Sequence, residues 1–404
     1  MKNHMANSVR SRMVLLTAAL LLLVGLGAGN ADDYARVSGP CHLRFPEDHG
    51  AHPEYRTEWW YYTGNVTNPE GWRFGYQFTL FRFRLAPPGK DALWPDPPSK
   101  WRASQLFMGH AAVSDLDRKQ YLRTEFMARE ALGLAGVTED ENRIVVFLNQ
   151  WRAQIGPDQH EIQANSDDFS LFLTLTPMKA PVLHGDKGYS RKGSTPERAS
   201  CYYSVTRLKT EGDIIVKGAR HHVEGLSWMD HEYSTAPLEP GLSGWDWFSL
   251  QLSDNTELMF FLLRQNGDSV HPASSGTFVD ASGKTHHLTS DVLNATVKQT
   301  WKSPDSRATY PVAWTITIHP RRLRLDVTAN LKTQEMRSPQ TSGVDYWEGS
   351  VSIRGSAGGR PVTGAGYVEL TGYPAHRKTR SLQGRDIRCW AQKVLTVFVV
   401  QCTA

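Results

Sequence analysis

Apolar residues recur at every second position along most of this chain. Phe74, Tyr76, Phe78 and Leu80 alternate with Gly75, Gln77 and Thr79, and Phe169, Leu171, Leu173 and Leu175 alternate with Ser170, Phe172, Thr174 and Thr176. Trp314, Ile316 and Ile318, then Leu323, Leu325 and Val327, repeat the pattern on either side of a turn at Pro320. Period two with aromatic and β-branched enrichment predicts β-strands. From Leu258 to Leu263 both alternating sets are apolar, which predicts a strand covered on nearly both faces. Only Tyr121 to Leu134 has helical spacing, and a short helix is predicted there. The chain reads as all-β, antiparallel, with few short helices.

A second regularity is a recurring hairpin. Trp59-Trp60-Tyr61-Tyr62 leads through Asn68-Pro69-Glu70-Gly71 to a strand ending at Phe81-Arg82. Trp245-Asp246-Trp247-Phe248 leads through Ser253-Asp254-Asn255 to a strand ending at Leu263-Arg264. Tyr346-Trp347-Glu348-Gly349 opens a third unit, closed by Gly366-Tyr367-Val368-Glu369-Leu370. The length fits two domains, with a boundary where Pro237, Pro240, Gly241 and Gly244 cluster. The alternative is a loop inside one large sheet system.

The two ends carry different information. Basic residues up to Arg12, an apolar run from Met13 to Leu26 and a small-residue end at Ala31 predict a signal peptide over residues 1–31. The run is shorter than a membrane span, so the expectation is a periplasmic or secreted protein cleaved near Ala31. Removing Lys2, Arg10 and Arg12 from 45 basic residues leaves 42 against 41 acidic ones, which argues against nucleic acid as a partner. Thirteen Trp, 14 Tyr and 15 Phe need a large core or a cavity to cover them. Cys41, Cys201, Cys389 and Cys402 permit two disulfides in three connectivities. One choice staples the tail through Cys389 and Cys402 and ties Cys41 to Cys201. No pair has the spacing of a redox or zinc motif.

Several stretches together resemble a known family. They are Tyr55-Arg56-Thr57-Glu58-Trp59-Trp60-Tyr61-Tyr62-Thr63-Gly64-Asn65, Gly225-Leu226-Ser227-Trp228-Met229-Asp230-His231-Glu232 and Gly244-Trp245-Asp246-Trp247-Phe248. Gly188-Tyr189-Ser190, Ser200-Cys201-Tyr202-Tyr203-Ser204 and Gly366-Tyr367-Val368-Glu369-Leu370-Thr371-Gly372-Tyr373 agree. From residue 45 to residue 376 the chain resembles the AttH family, lipocalin-like relatives of carotenoid 1,2-hydratase (hydroxyneurosporene synthase). The resemblance implies two tandem lipocalin-like (calycin) antiparallel β-barrels, residues 32–238 and 239–376, followed by a tail, residues 377–404. It implies an apolar ligand, no metal and no organic cofactor. It also implies a possible ABC transporter of the lipoprotein-release type as partner. Enzymes of the wider family hydrate carotenoid double bonds.

Asp230 and Glu232 share one face of a strand, with His231 between them on the other. A carboxyl group desolvated among tryptophans stays protonated and can act as a general acid. Trp228, Trp245 and Trp247 would stabilise a carbocation by cation–π attraction. Asp230 is the predicted acid, with Glu232 or His231 orienting water. Glu58, Trp59, Tyr61, Trp228, Trp245 and Trp247 are the predicted ligand-binding set. The competing reading makes Trp228 with Asp230, or Trp59 with Glu58 and Arg82, a structural plug closing a barrel end. His221 and His222 point to opposite faces and do not suit one metal ion. A nucleophile elbow is absent, since Gly241-Leu242-Ser243-Gly244 lacks one residue of that spacing. Lys187, Arg191 and Lys192 form a small basic patch, read as a solvated loop. The leading expectation is an exported carrier or binder of a lipid, isoprenoid or other apolar molecule. The alternatives are a cofactor-free hydratase or hydrolase and an accessory subunit docking on a transporter.

Overall fold

The computed structural model describes residues 33–373, apart from 91–93, 96, 98, 141–142 and 267–268. The predicted signal peptide, Cys389, Cys402 and the tail lie outside the described residues. Among the described residues the protein is built from two antiparallel sheets, each curled into a barrel-like form. Helical geometry is confined to short 3-10 turns such as Glu47–His49 and His319–Arg321.

In the first sheet the strands Gln105–Asp115, Arg73–Arg84, Thr57–Thr67, Ala219–Ser234, Ala199–Val216 and Phe169–Pro177 lie side by side. The chain leaves this sheet at Ser234 and enters the second at Leu242. There, Glu257–Gln265, Leu242–Leu252, Arg360–Leu370 and Tyr346–Ala357 are neighbours. The three repeated units are hairpins: Thr57–Thr67 with Arg73–Arg84, Leu242–Leu252 with Glu257–Gln265, and Tyr346–Ala357 with Arg360–Leu370.

Alternation sorts the side chains into two interiors and a seam. Phe74, Tyr76, Phe78, Leu80, Leu171 and Leu173 fill the first barrel, and Trp314, Ile316, Leu323, Leu325 and Val327 fill the second. On Glu257–Gln265, Phe260 and Leu262 join the second interior while Met259, Phe261 and Leu263 join the seam. That division explains the doubly apolar run. The two sheets approach closely. A Cβ on Gly75 would lie 2.6 Å from that of Ser350. Gln251 crosses the seam to donate to the carbonyls of Thr206 and Ser227, at 2.8 and 2.9 Å.

Tyr121 to Leu134 departs from the prediction. Gln120–Arg129 is a strand paired with Gln105–Asp115, and the expected helix is absent. Consecutive apolar residues caused the misreading. Leu122 packs on the first interior while its neighbour Tyr121 packs on Met336 and Tyr346 of the other sheet. Burial on both faces placed apolar residues side by side and imitated helical spacing.

Cys41 and Cys201 form a disulfide, one of the pairings left open by the sequence. It fastens the N-terminal arm to Ala199–Val216, beside Val37, Ala199 and Tyr233.

Candidate functional site in the seam

Asp230 lies in the middle of Ala219–Ser234, on the face turned to the second sheet, and is 4% exposed. Its carboxyl group receives three hydrogen bonds. Tyr202 Oη donates to Oδ2 at 2.7 Å, and Trp228 Nε1 donates to Oδ1 at 2.6 Å. Ser204 Oγ donates to Oδ1 as well. Tyr202 in turn accepts Trp247 Nε1 from the second sheet at 2.9 Å. Burial pushes the carboxyl up to about 7, although the bonds from Ser204, Tyr202 and Trp228 favour the ionised form. Asp230 therefore exchanges a proton near neutrality.

Behind Ser204 stands a relay. His184 Nε2 lies 2.6 Å from Ser204 Oγ, and His184 Nδ1 lies 2.9 Å from Thr277 Oγ1 of the second sheet. With Ser204 donating to Asp230, its oxygen accepts from Nε2–H, and Nδ1 accepts from Thr277. Burial holds His184 well below its ordinary value, so the neutral ring matches this order.

Two more carboxyl groups face the seam. Glu348 and Glu369 stand directly opposite on neighbouring strands. Burial pushes Glu369 up to about 8, against a bond from Trp245, and Glu348 is raised well above the carboxylate range by burial and by Glu369. Tyr61 faces the Glu348 carboxyl in the buried seam, and this side-chain contact favours the ionised form of Glu348 against its burial. Lys192 sits 3.3 Å from Glu232 and 3.9 Å from the Phe261 ring centroid. It belongs to the seam rather than to a solvated patch, and burial lowers its basicity.

The predicted set therefore divides. Trp59, Tyr61, Trp228, Trp245 and Trp247 meet in the seam with Asp230, and Glu232 reaches it through Lys192. Glu58 and His231 face the opposite side. Glu58 pairs with Arg82 at 2.7 Å, both side chains fully buried, and accepts His231 Nε2 at 2.8 Å and His52 Nδ1 at 2.7 Å. Burial alone would raise Glu58, but the bonds from His231 and His52 and the Arg82 charge hold it far below its ordinary value. His52 rises to about 9 despite burial, through hydrogen bonds with Asp48 and Glu58. Trp60, not Trp59, shares this face and stacks on His231 at 4.8 Å. His52, Glu58 and His231 have a metal-like spacing, yet their candidate ligand atoms bond to one another and to Arg82. This is a buried ion-pair cluster. His221 meets Asn68 while His222 meets Asp213, so the adjacent pair diverges.

The site also contains residues that sequence reasoning did not select. Tyr202, Ser204, Glu348 and Glu369 belong to stretches singled out by motif or hairpin, and alternation places Tyr202 and Ser204 on one face. Nothing local marked His184, whose role depends on Thr277, 93 residues away.

With this geometry in view, a family model described as AttH-like matches residues 36–373. The chain belongs to the AttH-like family. A crystal structure of an AttH-type protein from Nitrosomonas europaea is 34% identical, with 84% of this chain and 99% of that one covered and a TM-score of 0.74. Kievitone hydratase from Nectria haematococca shares the fold at 16% identity and TM-score 0.60, covering 84% of this chain and 96% of its own. CghA bound to Sch210972 does so at 11% and 0.53, covering 85% and 97%. Among curated protein sequences none matches significantly. The two tandem barrels of this AttH-like chain are thus shared with relatives of widely different sequence.

Proposed function

We propose that the protein binds an apolar small molecule in the seam and transfers a proton to it from Asp230, a cofactor-free acid–base activity of the hydratase type. The observation carrying this reading is a carboxyl group of pKa about 7 in a closed aromatic seam. A general acid works best with a pKa near the operating pH. Asp230 would protonate an unsaturated carbon, and Trp228 and Trp247 would face the resulting cation. A water molecule would add to the cation, and the proton it then loses would return to Asp230, with Ser204 and His184 as the relay. Tyr61 and Glu348, side by side in the seam, would meet a polar group of the ligand. Export supports access to such a ligand outside the cytoplasm. It is consistent with the Cys41–Cys201 disulfide. A transporter of the lipoprotein-release type would be the partner supplying or removing the ligand, which co-purification from membranes tests.

The test begins with native mass spectrometry of the protein, organic extraction and identification of any apolar adduct. The compound class found is then offered to the parent and to Asp230→Asn. Conversion by the parent and unchanged ligand recovered from the variant support the reading. Equal conversion by both proteins refutes the role of Asp230, and binding without conversion by either leaves a carrier.

A further inference from the structure

We propose that Glu348 exchanges its proton with solvent along Tyr346, His110 and Thr341 to Glu125, which makes it a second proton-transferring group of the seam. The chain crosses from one sheet to the other. Tyr346 and Glu348 lie two apart on the Tyr346–Ala357 strand and share its seam face, while Trp347 between them enters the second interior. Their side chains meet, and Tyr346 favours the ionised form of the Glu348 carboxyl. The Tyr346 hydroxyl lies 2.8 Å from Nδ1 of His110 on the Gln105–Asp115 strand. Nε2 of the same ring lies 2.8 Å from Thr341 Oγ1, in the turn leading to Tyr346. Thr341 donates to Glu125 Oε2, and the Gln340 amide donates to Oε1 at 3.0 Å. Glu348 and His110 are buried, whereas Glu125 is partly exposed and ends the chain at the surface.

Each group between the two carboxyls can both give and accept a proton. Burial pushes His110 down to about 3, so its ring is neutral and carries one N–H. With Glu348 protonated, its O–H donates to Tyr346 and Tyr346 donates to Nδ1; Nε2–H then donates to Thr341, and Thr341 to Glu125. When each proton moves along its own bond, Glu348 loses one, Glu125 gains one, and His110 ends as the other tautomer. A neutral imidazole bonded at both nitrogens is suited to such a shuttle. The groups facing Glu348 are Glu369, Tyr61, Tyr346, Tyr121 and Tyr367. Resting on the reading of the seam as an acid–base site, Glu348 would give its proton to a hydroxyl or carbonyl oxygen of the ligand and recover one through Glu125. Asp230 is supplied separately, by Ser204 and His184.

The experiment is a pH jump on the purified protein without ligand, followed by the infrared carbonyl band that Glu348→Gln removes. Thr341→Val lacks a linking hydroxyl but leaves the surroundings of Glu348 alone. It should slow relaxation of the band about 10²-fold, the lower end of what a positioned proton-transfer group contributes, at an unchanged titration midpoint. Thr341→Ser should restore the rate. Tyr346→Phe should slow the band as well and raise its midpoint, with melting temperatures confirming that the variants fold. Should Thr341→Val not fold, Glu125→Gln at the partly exposed end should slow the band in its place. The proposal is overturned if Glu348→Gln removes no titrating band, if the folded variants relax at the parent rate, or if Ser204→Ala slows the band while they do not. Unimpaired turnover by Asp230→Asn would sink the acid assignment and leave this rate difference standing.

Discussion

Glu348 and Glu369 face each other across directly paired positions of the Tyr346–Ala357 and Arg360–Leu370 strands, two acids side by side in the seam. Like charges opposed across a ladder are destabilising. Burial first, with neighbouring carboxylates adding to it, makes both groups and Asp230 bind protons more tightly in the folded protein than in the unfolded chain. Their contribution to stability is complete below the ordinary carboxylate range and is lost as pH rises through about 7 for Asp230 and about 8 for Glu369. His52 acts in the same direction, fully stabilising below 6.5 and losing its effect through about 9. Glu58 acts oppositely, stabilising above 4.5 and failing as pH falls toward its depressed value. The melting temperature should therefore fall from about pH 4.5 to about pH 9, and Glu369→Gln should reduce that fall below about pH 8. Identical flat profiles for parent and variant would contradict the account.

The buried Arg82–Glu58 pair yields a stability prediction. Arg82→Met leaves Glu58 buried with its permanent cation removed. Breaking one side of a buried pair costs about 3–5 kcal/mol. Urea unfolding should show this as a lower midpoint at unchanged slope. A loss below about 1 kcal/mol, typical of a surface pair, would mean that water reaches Glu58.

The disulfide closes a loop spanning 160 residues. Cys41→Ser with Cys201→Ser should cost about 2–5 kcal/mol, since the crosslink restricts the unfolded chain. Adding reductant to the parent should reproduce the loss. A parent insensitive to reductant under partly denaturing conditions would show that the bond is not formed in the purified protein.

The proton donor can be tuned without removing it. Tyr202→Phe and Ser204→Ala each delete a hydrogen bond that favours ionised Asp230. Its pKa should rise, and turnover on the identified ligand class should persist to higher pH than in the parent. Asp230→Asn should instead lower turnover about 10²–10⁴-fold below about pH 7, where the parent acid is protonated. A pH–rate profile that does not move in Tyr202→Phe would separate Asp230 from the rate-determining proton.

Strand alternation is a local property and was readable directly. It assigned Phe74 to Leu80 and Trp314 to Val327 to interiors, and it placed Asp230 and Glu232 opposite His231. Local pattern also revealed the doubly covered strand at Leu258–Leu263, though not what covered it. It failed at Tyr121 and Leu122, because two faces buried by different sheets imitate one helical face.

The sequence by itself determined the β-periodicity, the hairpins, the family resemblance and the chemical types gathered near Asp230. Tertiary structure alone decided that Trp228, Tyr202 and Trp247 converge on one carboxyl while Glu58 turns away to Arg82. It also brought His184 to Thr277 and Tyr61 to Glu348. The physical reason is that proton affinity and hydrogen-bond satisfaction depend on what burial places around a group. In this fold those neighbours come from strands of the other sheet, distant along the chain.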